Sequence, residues 1–198
     1  PGVAEAVSRE RAGETRAFVA LALDDRVRRA MGELQRELVP RLGGIRFVRP
    51  EGIHLTLRFL GASREDQLAR LRPALAEAAA ACAPAEAALR QAGTFPERGD
   101  PRVLWLEIEL PEQMRELQQK CERAARRLGF EPETRPFRPH LTLGRWRNRA
   151  PHPELPAVDL GVTRLETLVL FESDLRPGGA VYTPLAQFAL GGKGGATP

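Results

Sequence analysis

The spacing of apolar and polar positions divides the chain into stretches of helical and of strand period. "RAFVALAL", Arg16 to Leu23, is a short apolar run suited to a buried strand. Asp24 is placed to cap the helix "DDRVRRAMGELQREL", whose apolar residues recur at 27, 31, 34 and 38. "IRFV" and "HLTLRFLG" follow as strands. Ser63 is expected to open a second helix, with Asp66 at the capping-box position and leucines at 68, 71 and 75 forming one apolar stripe before an alanine run to Cys82. "RVLWLEIEL" is the most strand-like segment of the chain. Pro111 suits the first turn of a third helix, "PEQMRELQQKCERAARRLG", which Gly129 is placed to stop. "HLTLGRW", "RLETLVLFES" and "AVYTPLAQFAL" complete the strands, with Pro151, Pro153 and Pro156 marking the loop between the first two.

Residues 1–14 are polar and aperiodic, and the glycine-spaced "GGKGGATP" of residues 191–198 cannot pack a core. Both are expected to be flexible tails around a single domain spanning residues 15–190. Lys193 lacks the upstream glycine pattern and the following Ser or Thr of a phosphate loop, so no function attaches to it.

Composition narrows the class. At 198 residues, 42% hydrophobic and 28% charged, the chain can bury a real core. No run approaches the roughly 20 apolar residues that span a bilayer, and the first residues lack the cationic-then-apolar pattern of a secretory signal. A cytoplasmic protein without membrane contact is expected. The net charge of +4 suits a polyanionic partner, because cationic surface releases counterions from phosphates. Apart from Lys120 and Lys193 the basic residues are arginine, which source composition explains as readily as the fit of guanidinium to phosphate. Cys82 and Cys121 stand in helical patterns without a CxxC or Cys/His grouping and are expected to be free thiols.

One pattern occurs twice. Residues 49–57 read "RPEGIHLTL" and residues 135–143 read "RPFRPHLTL". The preceding elements repeat at nearly the same offset: a strand at 16–23 and a helix from Asp24 correspond to a strand at 102–110 and a helix from Pro111. Two lobes related by an approximate twofold axis would bring the His-Leu-Thr-Leu strands to a shared boundary. Strict alternation then sets His54 and Thr56 on one face, with Ile53, Leu55, Leu57 and Phe59 on the other. His140 and Thr142 project likewise, above Leu141 and Leu143.

A lone His-x-Thr on a strand is ordinarily a satisfied core or surface residue. Packing accounts for the repeated leucines, but gives no reason for histidine and threonine to recur on the opposite face. Two imidazoles with ordinary pKa values near 6.5 can divide acid and base roles, which suits displacement at phosphorus. Threonine hydroxyls and arginine guanidinia add donors to phosphate oxygens. No carboxylate recurs with the motif, which argues against a metal site and against glycosidase chemistry. His152, between prolines, reads as a surface residue.

With paired His-x-Thr-x motifs, and with "RAFVALAL", "HLTLRFLG", "RVLWLEI", "RPFRPHLTLGR", "LVLFES" and "VYTPLAQFAL" in this order over residues 16–190, the chain resembles the RNA 2′,3′-cyclic phosphodiesterases. These are also called 2′-5′ RNA ligase-like proteins, within the 2H phosphoesterase superfamily. The resemblance implies a bilobal α+β fold, each lobe an antiparallel sheet with helices outside, around a central cleft that needs neither metal nor cofactor. It implies a hydrolase that opens an RNA 2′,3′-cyclic phosphate end to a 2′-phosphomonoester, and the chain is expected to be a monomer. His54 would protonate the departing 3′ oxygen, His140 would activate water, Thr56 and Thr142 would hold phosphate oxygens, and Arg145 would bind phosphate charge.

Arg145 carries a difficulty, since alternation sets it with Leu141 and Leu143, opposite His140. Either a bulge or twist at Gly144 turns it into the cleft or it is structural. Arg135 and Arg49 would approach RNA phosphates or form surface ion pairs, and Phe137 would pack between the lobes or stack on a base. Two further readings stay open: 2′-5′ RNA ligation, the same chemistry with an RNA hydroxyl in place of water, and a non-catalytic module that binds RNA ends.

Overall fold

The computed structural model describes residues 14–176 and 179–192. Residues 1–13 and 193–198, which include Lys193 and most of both expected tails, lie outside the described residues. Two boundaries shift. Glu14 already begins the first strand, and the Gly191 amide donates to the Ala79 carbonyl at 3.1 Å.

Chain order is β1 (Glu14–Leu21), α1 (Asp25–Leu38), β2 (Ile45–Phe47), a 3₁₀ turn at Pro50–Gly52, β3 (Leu55–Arg64), α2 (Glu65–Ala80), β4 (Ala85–Phe95) and β5 (Val103–Glu109). It continues through α3 (Glu112–Arg127), β6 (His140–Trp146), β7 (Asp159–Leu165), β8 (Thr167–Arg176) and β9 (Gly179–Ala189). Asp24 caps α1 as expected, its carboxylate accepting from the Val27 amide at 2.8 Å. Pro111 is the N-cap of α3, and Gly129, at a φ of 82°, ends the turn that follows it.

Two local readings are corrected. Ser63 does not cap α2: it is buried in β3, its hydroxyl donating to Gly61, and Arg64 is the cap, with the Gln67 amide oxygen accepting from the Arg64 N–H at 3.1 Å. "RLETLVLFES" is divided at Glu166 between β7 and β8. The alanine-rich "AEAALRQAGTF" of β4 has weak intrinsic strand preference, yet it pairs with β5 on one side and β7 on the other, so tertiary context decides its form.

The strands make one nine-stranded antiparallel sheet in the order β7-β4-β5-β6-β3-β1-β8-β9, with β2 also paired to β6. The two motif strands meet at its centre, where Leu55 lies opposite Leu141. Outward from that seam run β3, β1, β8 and β9 in one half and β6, β5, β4 and β7 in the other, which is the twofold relation the repeat predicts. The halves are not contiguous in sequence. The chain leaves the first half after β3, builds the second, and returns with β8 and β9.

One hydrophobic core lies between the sheet and all three helices. Val27, Met31, Leu34 and Leu38 of α1, Leu68, Leu71 and Leu75 of α2, and Met114, Leu117 and Cys121 of α3 join Val19, Leu55, Leu57, Leu106, Leu141, Leu143 and Leu170 of the sheet. Each fully buried leucine contributes about 1.5–3 kcal/mol relative to exposure, so both motifs are anchored through their leucines. Cys82 and Cys121 are buried free thiols, and burial pushes the Cys121 thiol up to about 12.

Both motif strands carry a β-bulge at the same place. Across β1 and β3 the register passes from Ala20 opposite Thr56 to Val19 opposite Arg58, so Leu57 is the extra residue. Across β5 and β6 it passes from Trp105 opposite Thr142 to Leu104 opposite Gly144, so Leu143 is the extra residue. Each bulge carbonyl is met by a glutamine of the other half: Gln118 of α3 donates to Leu57 at 3.3 Å, and Gln35 of α1 donates to Leu143 at 3.1 Å. Gly144 leaves room for β2, because a Cβ there would stand 2.8 Å from Ile45 Cδ1.

Arg58 follows the first bulge and is turned towards the helices, where it forms a buried ion pair with Glu122 of α3 and donates to the Glu131 carbonyl. Removing one partner of a buried pair leaves the other charge uncompensated. Arg58→Met should therefore cost about 3–5 kcal/mol in chemical denaturation. Arg138→Ala, which breaks an exposed pair with Glu97, should cost at most about 1 kcal/mol. Equal effects would show that the Arg58–Glu122 link does not hold the halves together.

Candidate active site

The face of the sheet turned away from the helices is where the motif polar groups converge. With Leu55 opposite Leu141, antiparallel pairing sets His54 beside Thr142 and His140 beside Thr56. All four are partly buried. The imidazoles lie close enough that charge on His140 disfavours charge on His54.

Each imidazole is held by aromatic rings of its own half. His54 stacks on Phe18 at 4.6 Å between centroids and meets Tyr182 edge-on at 5.0 Å, with Phe171 beyond at 5.7 Å. His140 meets Phe95 edge-on at 5.2 Å, and Phe95 also contacts Trp105 at 5.1 Å and lies under the Arg138 guanidinium. Phe171 and Phe95 correspond under the twofold relation, being opposite Phe18 in β1 and Val103 in β5. Trp105 lies flat over the backbone at Gly93, where any Cβ would come within 2.3 Å of the indole.

Backbone carbonyls fix the ring orientations. His140 Nδ1 lies 2.7 Å from the Arg138 carbonyl. A carbonyl only accepts, so Nδ1 carries the proton and Nε2 is left for the cleft. His54 is likewise hydrogen-bonded to the backbone two residues earlier, at Gly52. A hydrogen bond of this kind sets which nitrogen can act.

Burial holds the His54 imidazole down to about 4, with the backbone bond to Gly52 opposing and the charges of Arg28 and His140 adding to the shift. His140 is also lowered, by burial first, against the bond to Arg138 and with the charges of Arg145 and Arg138. Both rings are therefore neutral near pH 7 in the free cleft. Tyr182 is raised by burial, with Arg145 opposing.

Arg145 joins this cleft. The bulge at Leu143 places Leu143 and Gly144 in succession on the buried side, so Arg145 shares the face of His140 and Thr142. The bulge, with its extra residue at Leu143, resolves what strict alternation could not. Arg46 is its cross-strand neighbour in β2.

The same parity change corrects the placement of Phe59. Past the bulge at Leu57, Phe59 pairs with Phe18 and stands on the cleft face, 58% exposed, instead of sharing the buried side with Leu55. Phe137 packs against the hydrophobic core. Arg135 and Arg49 are exposed in the segments before β6 and before the 3₁₀ turn, and the Arg135 amide donates to Glu133 at 3.4 Å. His152 is exposed, with Nε2 3.1 Å from the Thr94 hydroxyl. No group of three or more His, Cys, Asp or Glu residues able to hold a metal ion occurs among the described residues, and no helix among them is long and apolar enough to cross a membrane.

Phe18, Phe171, Tyr182, Phe95, Trp105 and Arg46 did not emerge from the motifs. Their signal was the apolar run itself: β1 is buried along both faces, so Phe18 between Ala17 and Val19 had to meet something on the cleft side.

A sequence model of the 2′-5′ RNA ligase superfamily matches residues 21–169. An RNA 2′,3′-cyclic phosphodiesterase of Methanothermobacter thermautotrophicus is 35% identical, with 89% of this chain aligned to all of that protein. One from Thermus thermophilus is 37% identical over 91% of this chain and 92% of its own length. A crystal structure of a Thermus thermophilus protein superposes with a TM-score of 0.81 at 35% identity, over 90% of this chain and 99% of that one. E. coli LigT complexed with 3′-AMP shares the fold, with a TM-score of 0.76 at 24% identity over 89% of this chain and 98% of its own.

The state of His54 is measurable without substrate. Its pKa is lower folded than the ordinary 6.5, so folding favours the neutral ring; that stabilisation is complete above pH 6.5 and lost as pH falls towards 4. Since each tenfold loss of proton affinity corresponds to about 1.4 kcal/mol, the stabilisation is on the order of 3 kcal/mol. Chemical denaturation at a series of pH values should show the decline in the wild type and a shallower one in His54→Asn. Parallel curves would place the titration elsewhere.

Proposed function

The chain belongs to the 2′-5′ RNA ligase superfamily, and from that premise we propose that it hydrolyses the 2′,3′-cyclic phosphate at an RNA end to a 2′-phosphomonoester. The observation that carries the proposal is the twofold pairing of the motif imidazoles at the seam, each ring bonded to the backbone two residues earlier.

In this mechanism water attacks phosphorus in line with the bond to O3′. His140 takes the proton of the attacking water through Nε2, the P–O3′ bond breaks, and His54 gives a proton to O3′. Thr56 and Thr142 donate to the non-bridging oxygens, and Arg145 adds a charge-assisted contact as charge builds on them.

The low proton affinity of both rings has a role here. The free cleft combines burial with the charges of Arg28, Arg138 and Arg145, all of which disfavour imidazolium. An anionic phosphate offsets those charges, so the proton that His54 donates is held only once substrate is present. The exposed Arg135 and Arg49 flank the motifs on the approach for RNA, and the reading carries with it a monomer acting in the cytoplasm without a metal.

The product of a 2′,3′-cyclic-ended RNA tests the reading directly. A 2′-phosphate is expected, and a 3′-phosphate, a new 2′-5′ linkage or an unchanged end would overturn it. His54→Ala and His140→Ala should each lower kcat by roughly 10²–10⁴-fold while the protein stays folded.

The pH profile gives a separate test. Because kcat/KM reports the free enzyme, its bell should lie on the acid side of 6.5, with one limb near 4, and both limbs belong to the coupled pair. The limbs of kcat, measured with the anion bound, should move towards neutrality. A kcat/KM that keeps rising into alkaline pH would exclude this pair.

A further inference from the structure

One buried amide joins the two segments that carry Arg145 and His54 into the cleft. Gln35 of α1 is 6% exposed, and its Nε2 stands 2.7 Å from the Val48 carbonyl and 3.1 Å from the Leu143 carbonyl. Carbonyls only accept, so this nitrogen directs both of its protons at the backbone.

The two carbonyls belong to different approaches to the site. Leu143 is the extra residue of the β6 bulge, which brings Arg145 to the cleft face two residues later. Val48 follows β2, whose pairing with β6 stops at Phe47 opposite Gly144, and leads through the 3₁₀ turn to Gly52 and His54. Val48 Cγ1 is seated against Gly52, 3.5 Å from where a Cβ there would stand, and Gly52 is the backbone partner of His54. Val48 is thus tied to one imidazole and Leu143 to the guanidinium.

The Val48 amide donates to the Leu143 carbonyl at 2.8 Å. A single bond of that kind is a pivot, whereas the two from Gln35 close a triangle with it and fix the angle between the segments. The helix stands close enough to do so because of Gly32, three residues earlier on the same face of α1. Gly32 is buried, and a Cβ there would stand 3.2 Å from Pro50 Cγ. His140 and Tyr182, from opposite halves, both feel the charge of Arg145, so a shift of the bulge would be felt across the cleft.

We infer that Gln35 is a positioning residue for the reaction: by bridging Val48 and Leu143 it fixes the β6 bulge against the approach to His54, and so holds the Arg145 guanidinium where phosphate charge meets it. Gln35 itself touches neither substrate nor reacting atoms. The inference rests on the hydrolytic reading for the role of Arg145.

The test crosses Gln35→Met, which is of similar length and loses both donors, with Arg145→Ala. Fluorescein-labelled RNA ending in a 2′-phosphate binds without turning over, and the cyclic-ended RNA gives kcat and KM. Arg145→Ala should weaken binding of the 2′-phosphate end roughly 10- to 100-fold, as loss of a charged hydrogen bond does, and Gln35→Met by at least about threefold. Gln35→Met should lower kcat by roughly 10- to 100-fold, the scale on which a misplacement of about 1 Å acts. In the Arg145→Ala background it should change either quantity by less than about twofold, because residues that act as a unit are not additive.

A residue that merely stabilised the fold would act alike in both backgrounds. Gln35→Glu keeps the shape and loses at least one donor whatever its charge, so it carries the same cycle should Gln35→Met fail to fold, and urea midpoints identify that case. Unchanged affinity on loss of the Gln35 donors, equal losses in the two backgrounds, or an Arg145→Ala variant that binds like the wild type would overturn the inference. Because the titration needs no chemistry, it decides Gln35 even if the cyclic end proves not to be hydrolysed.

Discussion

The extra residue in each motif strand, Leu57 in β3 and Leu143 in β6, is the constraint on which the cleft depends. A regular strand alternates its faces without interruption, so a motif that buries leucines and presents His and Thr would go on presenting every second residue. The bulge sets two successive residues on the buried side and inverts the residues that come directly after it. Arg58 is thereby sent under the sheet to Glu122, while Phe59 and Arg145 come up beside the imidazoles. A bulge also takes a carbonyl out of the ladder, and an unpaired buried carbonyl costs about as much as a lost hydrogen bond. Gln118 reaches the Leu57 carbonyl from the opposite half, and Gln35 adds a second donor to the Leu143 carbonyl, which already accepts from the Val48 amide at 2.8 Å.

Around this frame the electrostatics of the cleft follow from burial. Phe18, Phe171 and Tyr182 exclude water from His54, and Phe95 covers His140. Nearby guanidinia act in the same direction as desolvation, since both oppose a positive ring. The unliganded cleft is thus basic in its arginines and neutral in its histidines. Thr56 and Thr142 bring hydroxyls to it whose state does not change with pH.

Much of this was legible in the sequence, because the leucines of the repeat could be read as a buried stripe and the His and Thr as its other face. The central position of both motif strands followed from the repeat alone. The non-contiguous halves did not, since β8 and β9 return to β1 by pairing that no local pattern encodes. β4 was hidden by its alanines, which favour a strand only between β5 and β7. Gly144 signalled a bulge or twist for Arg145, but nothing in "HLTLR" announces the extra residue that turns Phe59 from the buried face to the cleft. Arg64 capping α2 in place of Ser63 was lost for a similar reason: β3 runs on until the helix begins.

The crossed glutamines carry one more meaning. Each half supplies the group that completes a strand of the other, by Gln35 to Leu143 in one direction and Gln118 to Leu57 in the other. This is the reciprocity of an isologous dimer, where a contact made by one subunit is returned by its mate. The protein is in that sense a dimer on a single chain, with its subunits interleaved by the return of β8 and β9. Cutting it at the seam would not release two lesser enzymes. Each fragment would keep an imidazole and lose the glutamine that the other half sends to its bulge.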